Sequence, residues 1–353
     1  MIFPQIKINL KKIKENAKRI LDLCQQSGIE SVFLVTKVLA GDKRIINEIA
    51  GLGFTHLADS RIENLKIYSD LNLPKVLLRL PMISEIEAVI KYANLSLNSE
   101  IEVIRLLNAE AKKQNKIHEI ILMFDLGDLR EGIFYQDEYL KTVAEILNLS
   151  NLRLTGIGTN LTCYGGIIPT KENLSELIKI KKEIETRFQI ELSLISGGNS
   201  SSLHLLPNLP PGINNLRIGE ALFLGRETAY GKNLPGMHPD CFELVAELIE
   251  VKTKPSYPLG IMGMDSFGNV PKIEDRGLMK RGILAIGKQD VALEDLMPLD
   301  ENVEILGGSS DHLLVQLNGN FLPGDKLRFA VNYPGLLRLM TSKYVKKEYW
   351  NKS

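Results

Sequence analysis

The sequence predicts an α/β protein: a (β/α)8, TIM-like barrel followed by a C-terminal antiparallel β domain. Short β-rich runs alternate with amphipathic segments along most of the chain, as parallel strands joined by crossover helices require. The runs number about eight, enough to close a barrel of typical size. Beyond "LFLGRETAYGKNLPGMHPD" a Gly/Pro-rich linker gives way to short alternating runs, the pattern of an antiparallel β domain. At 353 residues the chain is too long for one small core, and it is divided here into a barrel of residues 1–230 and a β domain of 231–353.

Taken in order, the barrel strands are "SVFLVTK" from 31, "FTHLAD" from 54, "KVLLRL" from 75, "NLSLNS" from 94, "IHEIILMFD" from 117, "LRLTGIGTN" from 152, "IELSLISGG" from 190 and "NNLRIGE" from 214. Between them, "SRIENLKIYSDL" and "SELIKIKKEIETRF" place apolar residues three and four apart with charges between, as a helix packed outside a sheet needs. Past the linker, "FELVAELIEVKT", "RGILAIG", "VEILGGSSDHLLVQL" and "DKLRFAVNY" are the β-domain strands. Every barrel run but "KVLLRL" ends in a polar residue or glycine. Lys37, Asp59, Asn98, Asp125, Asn160, the Gly197-Gly198-Asn199 turn and Arg217 are therefore expected to ring one mouth, the face where sites are built in this fold.

Composition narrows the function classes. Hydrophobic content of 44% and charged content of 24% are those of a globular protein. Lys+Arg and Asp+Glu both number 43, so global charge gives no reason to expect nucleic acid or an anionic membrane as partner. A small molecule or a second copy of the chain is expected instead. Cys24, Cys163 and Cys241 are odd in number and lack metal-ligand spacing, which reads as reduced thiols with no metal. The opening "MIFPQIKINLKKIKENAKRI" lacks an apolar core of signal-peptide length, and no apolar run elsewhere has the length of a membrane span. A cytoplasmic location is expected.

Three stretches carry chemistry. An ammonium at the end of an apolar strand is costly unless it is paired, neutral or snorkelling to solvent. In a desolvated barrel mouth the neutral amine of Lys37 would be favoured and can condense with an aldehyde. The glycines and hydroxyls of "SGGNSSSL" (196–203) and "RIGEALFLG" (217–225), following strands seven and eight, fit a phosphate cup of backbone N–H groups and helix N-termini. In "MFDLGDLREGI" (123–133), Arg130 is either a surface residue paired with Asp128 or Glu131, or a guanidinium fork for a carboxylate.

With these residues in place, the chain resembles the alanine racemase-like, fold type III pyridoxal-phosphate enzymes, and within them the amino-acid racemases that include ornithine racemase. The likeness runs from "QIKINLKKIKENA" into the β domain and rests on "VTKVLAGD", "DLGDLREGI", "GIGTNLTCYGG", "SGGNSSSL" and "RIGEALFLGRE" in that order. It implies that Lys37 carries pyridoxal 5'-phosphate and that Arg217 faces the pyridine nitrogen. Asn199 and Ser200, with the Gly219 and Glu220 backbone, would hold the phosphate. Arg130 would lie near the substrate carboxylate, and Asn160 falls where alanine racemases have a histidine beside the ring. Because an arginine stays protonated, Arg217 would leave the ring nitrogen without its own proton and favour reversible proton exchange.

Departures from the family pattern matter as much. Gly41 replaces a phosphate-binding tyrosine, a place Tyr333 in "VNYPG" is expected to take. Met123 stands where some relatives carry a carbamylated lysine, so that modification is not expected. A catalytic tyrosine contributed by the second subunit belongs near "GIMGMDSFG", which contains none.

The resemblance therefore implies racemisation by two bases, with Lys37 serving one face of Cα. The family's head-to-tail homodimers would bring the second base from the other chain's β domain. Asp265 is the candidate, although a turn role in "MDSFGN" accounts for it equally well. Cys163 and Tyr164 are alternatives from the same chain. Asp311, with Asp265, is expected to meet the distal ammonium of a substrate such as ornithine or lysine. Two competing readings are a lyase on the same scaffold, decarboxylase or aldolase, and a pyridoxal-phosphate-binding protein without turnover. The sparse late histidines weigh against the metal-dependent aldolases, and the second domain weighs against the binding protein.

Overall fold

The computed structural model describes residues 2–351. It separates into two compact units, one spanning Lys12–Pro239 and the other combining the residues up to Lys11 with those from Asp240 onward.

All eight expected barrel strands form in the first unit: β1 (Ser31–Val35), β2 (His56–Asp59), β3 (Lys75–Leu77), β4 (Leu95–Asn98), β5 (His118–Asp125), β6 (Leu152–Thr159), β7 (Leu194–Ser196) and β8 (Asn215–Ile218). They pair in parallel in the order β4-β3-β2-β1-β8-β7-β6-β5, and a β4–β5 pairing closes the ring. A closed parallel barrel buries both faces of each strand, which is why these runs read as nearly continuous apolar stretches. Alternate residues point inward, so Phe33, Val35, Ala58, Val76, Leu95, Leu97, Ile121 and Met123 form one buried cluster. Met123 is thus a core side chain packed among hydrocarbon.

The outer helices follow their sequence signals. Lys43–Ile49 is capped by Asp42, whose carboxylate accepts from the Arg44 and Ile45 amides. Lys171–Phe188 starts with a Thr170–Asn173 capping box and buries Leu174, Leu177, Ile180 and Ile184, the stripe expected of "SELIKIKKEIETRF".

The second unit is a mixed, mainly antiparallel sheet built on a long strand, β9 (Phe242–Pro255). It adds β10 (Leu278–Leu284), β11 (Leu296–Pro298), β12 (Val303–Gly308), β13 (Leu313–Leu317) and β14 (Lys326–Val331), ordered β11-β14-β9-β10-β13-β12. A helix the sequence pattern did not announce, Tyr333–Thr341, follows β14. Asn332 caps it by accepting from the Gly335 amide at 2.9 Å, and Pro334 sits in its first turn.

The expected boundary at 230/231 needs correction. The strand Gln5–Asn9 belongs to the second unit, pairing antiparallel with β9 and parallel with Lys346–Trp350. The barrel unit extends to Pro239. A five-residue strand carries no local mark of which sheet it joins when both its partners are remote in sequence.

Candidate active site

The first wall of the barrel mouth comes from the end of β1. The strand stops at Val35, and the Thr36 hydroxyl donates to Asp59 at 2.7 Å. Asp59 is fully buried and also accepts from the Arg61 amide and Asn64. Burial pushes its carboxyl up while these donors pull it down. Lys37 is therefore not the last strand residue. It opens a one-turn 3-10 segment, Lys37–Leu39, and its side chain is exposed. Ala40 and Gly41 then take left-handed conformations with φ of 49° and 81°. A Cβ on Gly41 would lie 2.7 Å from Ile67 Cδ1, so a side chain there would have to move Ile67 and would strain a φ of 81°.

The second wall is a double turn. After β7, Gly198 has φ of 117°, a conformation that favours glycine, and Asn199 caps the 3-10 helix Ser200–Leu205 by accepting from the Ser201 amide at 2.7 Å. Ser200 Oγ accepts from the Ala221 amide at 3.2 Å, tying this turn to the short helix Glu220–Leu224 that follows β8. Gly219, the cap of that helix, could not carry a side chain easily, because a Cβ would stand 3.0 Å from Val35 Cβ. Ser200, Ser201 and Ser202 are all buried, and Ser201 Oγ has no hydrogen-bond partner. A buried hydroxyl without a partner thus lies between the starts of two short helices.

Arg217 crosses between these walls. Although buried, it donates to Ser196 Oγ, to the Thr159 carbonyl at 2.7 Å and to Asn160 Oδ1 at 3.4 Å. Burial lowers its pKa to about 10 and Glu131 pulls it back up, so it remains a cation at neutral pH. Asn199 Nδ2 donates to Asn160 Oδ1 at 2.9 Å, to the Leu161 carbonyl at 3.1 Å and to Cys163 Sγ at 3.4 Å. Asn160 Nδ2 is buried and has no partner. Sequence reasoning had placed Asn160, Asn199 and Arg217 at one mouth, and the structure brings them together, with Cys163 beside Asn199.

The fourth component is the loop after β5. Asp125 accepts from the Gly127 and Leu129 amides. Asp128, fully buried, accepts from the Thr162, Tyr164 and Ile167 amides at 3.0, 2.9 and 3.1 Å, while its carbonyl accepts from Gly165. One carboxylate thus latches the segment bearing Cys163 and Tyr164, whose side chains are exposed. Two residues further on, Arg130 makes a two-pronged ion pair with Glu131, Nε to Oε2 at 2.6 Å and Nη2 to Oε1 at 2.8 Å. The sequence had left Arg130 open between a local pair and a carboxylate fork, and the partner present is the local one, Glu131, held in a forked geometry.

Glu131 is the residue that sequence reasoning missed as part of the site. Its carboxyl is pushed up by burial and pulled down by Arg130, Arg217 and Lys37, so three cations of the mouth face it. Glu220, expected only for its backbone, pairs with Arg226 at 3.0 Å; its carboxyl is likewise pushed up by burial and pulled down by Arg226 and Lys37. An Arg-Glu dipeptide has no sequence mark that separates it from any solvated pair.

Asp265, Asp311 and Tyr333 lie on the second unit. Asp265 Oδ1 accepts from the Phe267 and Asn269 amides at 2.9 and 2.8 Å, and these bonds with nearby Lys288 hold its carboxyl below the ordinary range. Asp311 is exposed in the turn between β12 and β13 and accepts from Ser310 Oγ. Tyr333 is the first residue of its helix. Among the described residues no group of three or more His, Cys, Asp or Glu side chains could hold a metal ion, and no helix is long and apolar enough to cross a membrane.

The closed barrel bearing Lys37, the buried Arg217 and the Ser200–Ser202 turn, joined to a second β unit, belongs with the amino-acid racemases, the class in which its relatives place it. The chain belongs to the alanine racemase family: the profile described as "Alanine racemase, N-terminal domain" matches residues 8–227. It is 47% identical over 352 residues to the ornithine racemase of Acetoanaerobium sticklandii, covering 98% of this chain and 99% of that one. It is 40% identical over 355 residues to the lysine racemase of Thermotoga maritima, covering 99% of each. Among solved structures it is similar in fold to the alanine racemase of Streptomyces lavendulae, with a TM-score of 0.79, 15% identity and coverage of 100% and 99%. The alanine racemase of Clostridium difficile 630 gives a TM-score of 0.76 at 17% identity, with coverage of 99% and 97%.

Proposed function

We propose that this enzyme interconverts the L and D forms of a basic amino acid, ornithine or lysine, with pyridoxal 5'-phosphate as cofactor. The observation that carries this reading is the convergence of Lys37, Arg217 and the Ser200–Gly219 cup at one end of a single barrel, supported by the names of the two relatives at 47% and 40% identity. The cofactor fits the donors present, because Ser201 Oγ and Asn160 Nδ2 are buried polar atoms without a partner in a cleft already lined by a cation.

In this reading Ser200, the Asn199 turn and the Gly219 and Glu220 backbone hold the phosphate. Arg217 would face the ring nitrogen as a donor and, staying protonated, would give up no proton of its own. When bound, the cofactor supplies the electron sink that spreads the negative charge developing at Cα. Lys37 would hold the cofactor through Nζ and, once that amine is released by the substrate's own amine, would take and return the Cα proton on one face. Arg130 holds the substrate carboxylate and so fixes which Cα bond is presented. The opposite face needs a second acid/base; Asp265 is the candidate, with Cys163 and Tyr164 as the alternatives on the latched loop.

Asp265 lies in residues 256–277, an irregular stretch that exposes Leu259, Ile261 and Met264 at 88%, 106% and 76%. Apolar exposure of this degree on one stretch supports its burial against a second copy, as a head-to-tail homodimer would provide. Tyr333 is retained as a phosphate contact and Asp311 as a substrate contact. Three free thiols, one of them the exposed Cys163, support a reducing, cytoplasmic setting.

The test is α-proton exchange in deuterated water with chiral chromatography, the cofactor-loaded protein being offered ornithine, lysine, arginine, alanine and serine separately. Exchange with inversion of one basic amino acid supports the proposal. Loss of substrate carbon would identify a lyase, and a yellow protein inert toward all five would identify a binding protein.

A further inference from the structure

We propose that Glu131 is the residue that selects a cationic side chain: the substrate's α-carboxylate displaces it from Arg130, and the freed carboxylate then pairs with the substrate's distal ammonium. This inference rests on the proposed action on basic amino acids and adds the group that enforces it.

The Arg130 fork is shaped for a carboxylate, because both prongs already hold one at 2.6 and 2.8 Å. The arrangement is built into the backbone. Leu129 has φ of 56° and Gly132 φ of 131°, and a Cβ on Gly132 would lie 2.4 Å from the Asp125 amide nitrogen. This tight return, followed by pairing of Ile133–Phe134 with Phe124–Asp125, turns two consecutive side chains to the same side over the end of β5. Glu131 is 16% exposed where Arg130 is 43% exposed, so the acid is the inner member of the pair.

Exchange of partners explains selection without a preformed pocket. An incoming α-carboxylate replaces Glu131 on Arg130 like for like. Glu131 is then a half-buried carboxylate without its direct ion-pair partner, left with only the longer-range pull of Arg217 and Lys37, a state that a new cation in contact would relieve. A diamino acid brings that cation on its own side chain, a few ångströms from its carboxylate, whereas a neutral amino acid brings none. Discrimination arises from penalising the wrong substrate as much as from holding the right one.

The deciding comparison is ornithine against norvaline, the same carbon chain without the distal amine, measured as α-proton exchange by the cofactor-loaded enzyme. In the wild type, ornithine is expected to be favoured. Glu131→Gln should raise KM for ornithine by about 10–100-fold with a smaller change in kcat, and should improve norvaline, so that the preference collapses. An equal loss on both substrates, with the ratio kept, would mean that Glu131 only positions Arg130, and the proposal would be overturned. Thermal melting and cofactor absorbance establish that the variant is folded and loaded. Should it not fold, Glu131→Asp decides: a retracted carboxylate must weaken ornithine selectively, and equal weakening of norvaline overturns the proposal. Wild-type enzyme that exchanges no basic amino acid would bring down the functional reading itself, an outcome seen before any variant is made.

Discussion

At the scale of single residues, the legible members of the site were those whose type is anomalous for their surroundings. Lys37 interrupts an apolar run and Arg217 sits inside a buried strand, so each needed an explanation from the sequence alone. Glu131 was hidden because its immediate neighbour supplies an ordinary reason for it. Since the Lys37 side chain is exposed, Lys37→Ala should leave the urea midpoint of the cofactor-free protein nearly unchanged while α-proton exchange falls by on the order of 10²–10⁴-fold. Arg217→Met should behave differently. It removes a donor from Ser196 Oγ, the Thr159 carbonyl and Asn160 Oδ1, of which Ser196 keeps Asn215 and Asn160 keeps Asn199, and a loss of about 1–3 kcal/mol is expected in denaturant unfolding.

Secondary-structure elements were read with more success than single residues, for a physical reason. A strand enclosed by barrel neighbours and outer helices must be apolar on both faces, so all eight announced themselves, and only their ends were overdrawn. "SVFLVTK" stops at Val35 because Thr36 turns to bond Asp59, and "IELSLISGG" shrinks to Leu194–Ser196. The helix Tyr333–Thr341 escaped notice because its signals are an asparagine cap and a proline directly after a strand, which read equally as a turn. Loop shape was the least legible feature, and two substitutions probe it. Gly132→Ala forces a Cβ into the backbone of β5 at φ of 131°; strain alone is worth about 1–3 kcal/mol, and exchange activity should fall with it because Arg130 and Glu131 are displaced. Asp128→Ala removes one acceptor from three amides of the 161–167 segment. A destabilisation of about 2–4 kcal/mol in urea, with faster proteolysis at that segment, is the expected outcome.

For the molecule as a whole, acid should erode stability before it protonates ordinary carboxylates. His118 at the start of β5 is buried, shares a 2.8 Å hydrogen bond with Ser96 Oγ, and is pushed by burial from 6.5 to about 4. A group depressed in the folded state withholds a proton that the unfolded chain accepts. Its contribution is therefore intact above pH 6.5 and lost as pH falls toward 4, by on the order of 3 kcal/mol. Glu131 and Glu220, raised by burial, act with the opposite sign, adding stability as pH falls through their elevated values. Urea midpoints should accordingly drop between pH 7 and 5, and His118→Asn should lessen that drop, leaving the share carried by His56, which burial also lowers to about 4. On assembly, sedimentation should give a dimer, and Ile261→Asp should shift it toward monomer at equal concentration.

The placement of Gln5–Asn9 in the sheet of the second unit also bears on how the chain is made. During synthesis this strand leaves the ribosome early, yet its first partner, Phe242–Pro255, lies on the far side of the whole barrel. At about 5–20 residues per second, roughly 10–50 seconds pass before that partner exists. The alternating Ile6 and Ile8, both fully buried in the finished protein, spend that interval as an unpaired apolar edge. Ile6 and Ile8 therefore stay uncovered through that interval and are buried only once Phe242–Pro255 has been made and the sheet closes over them.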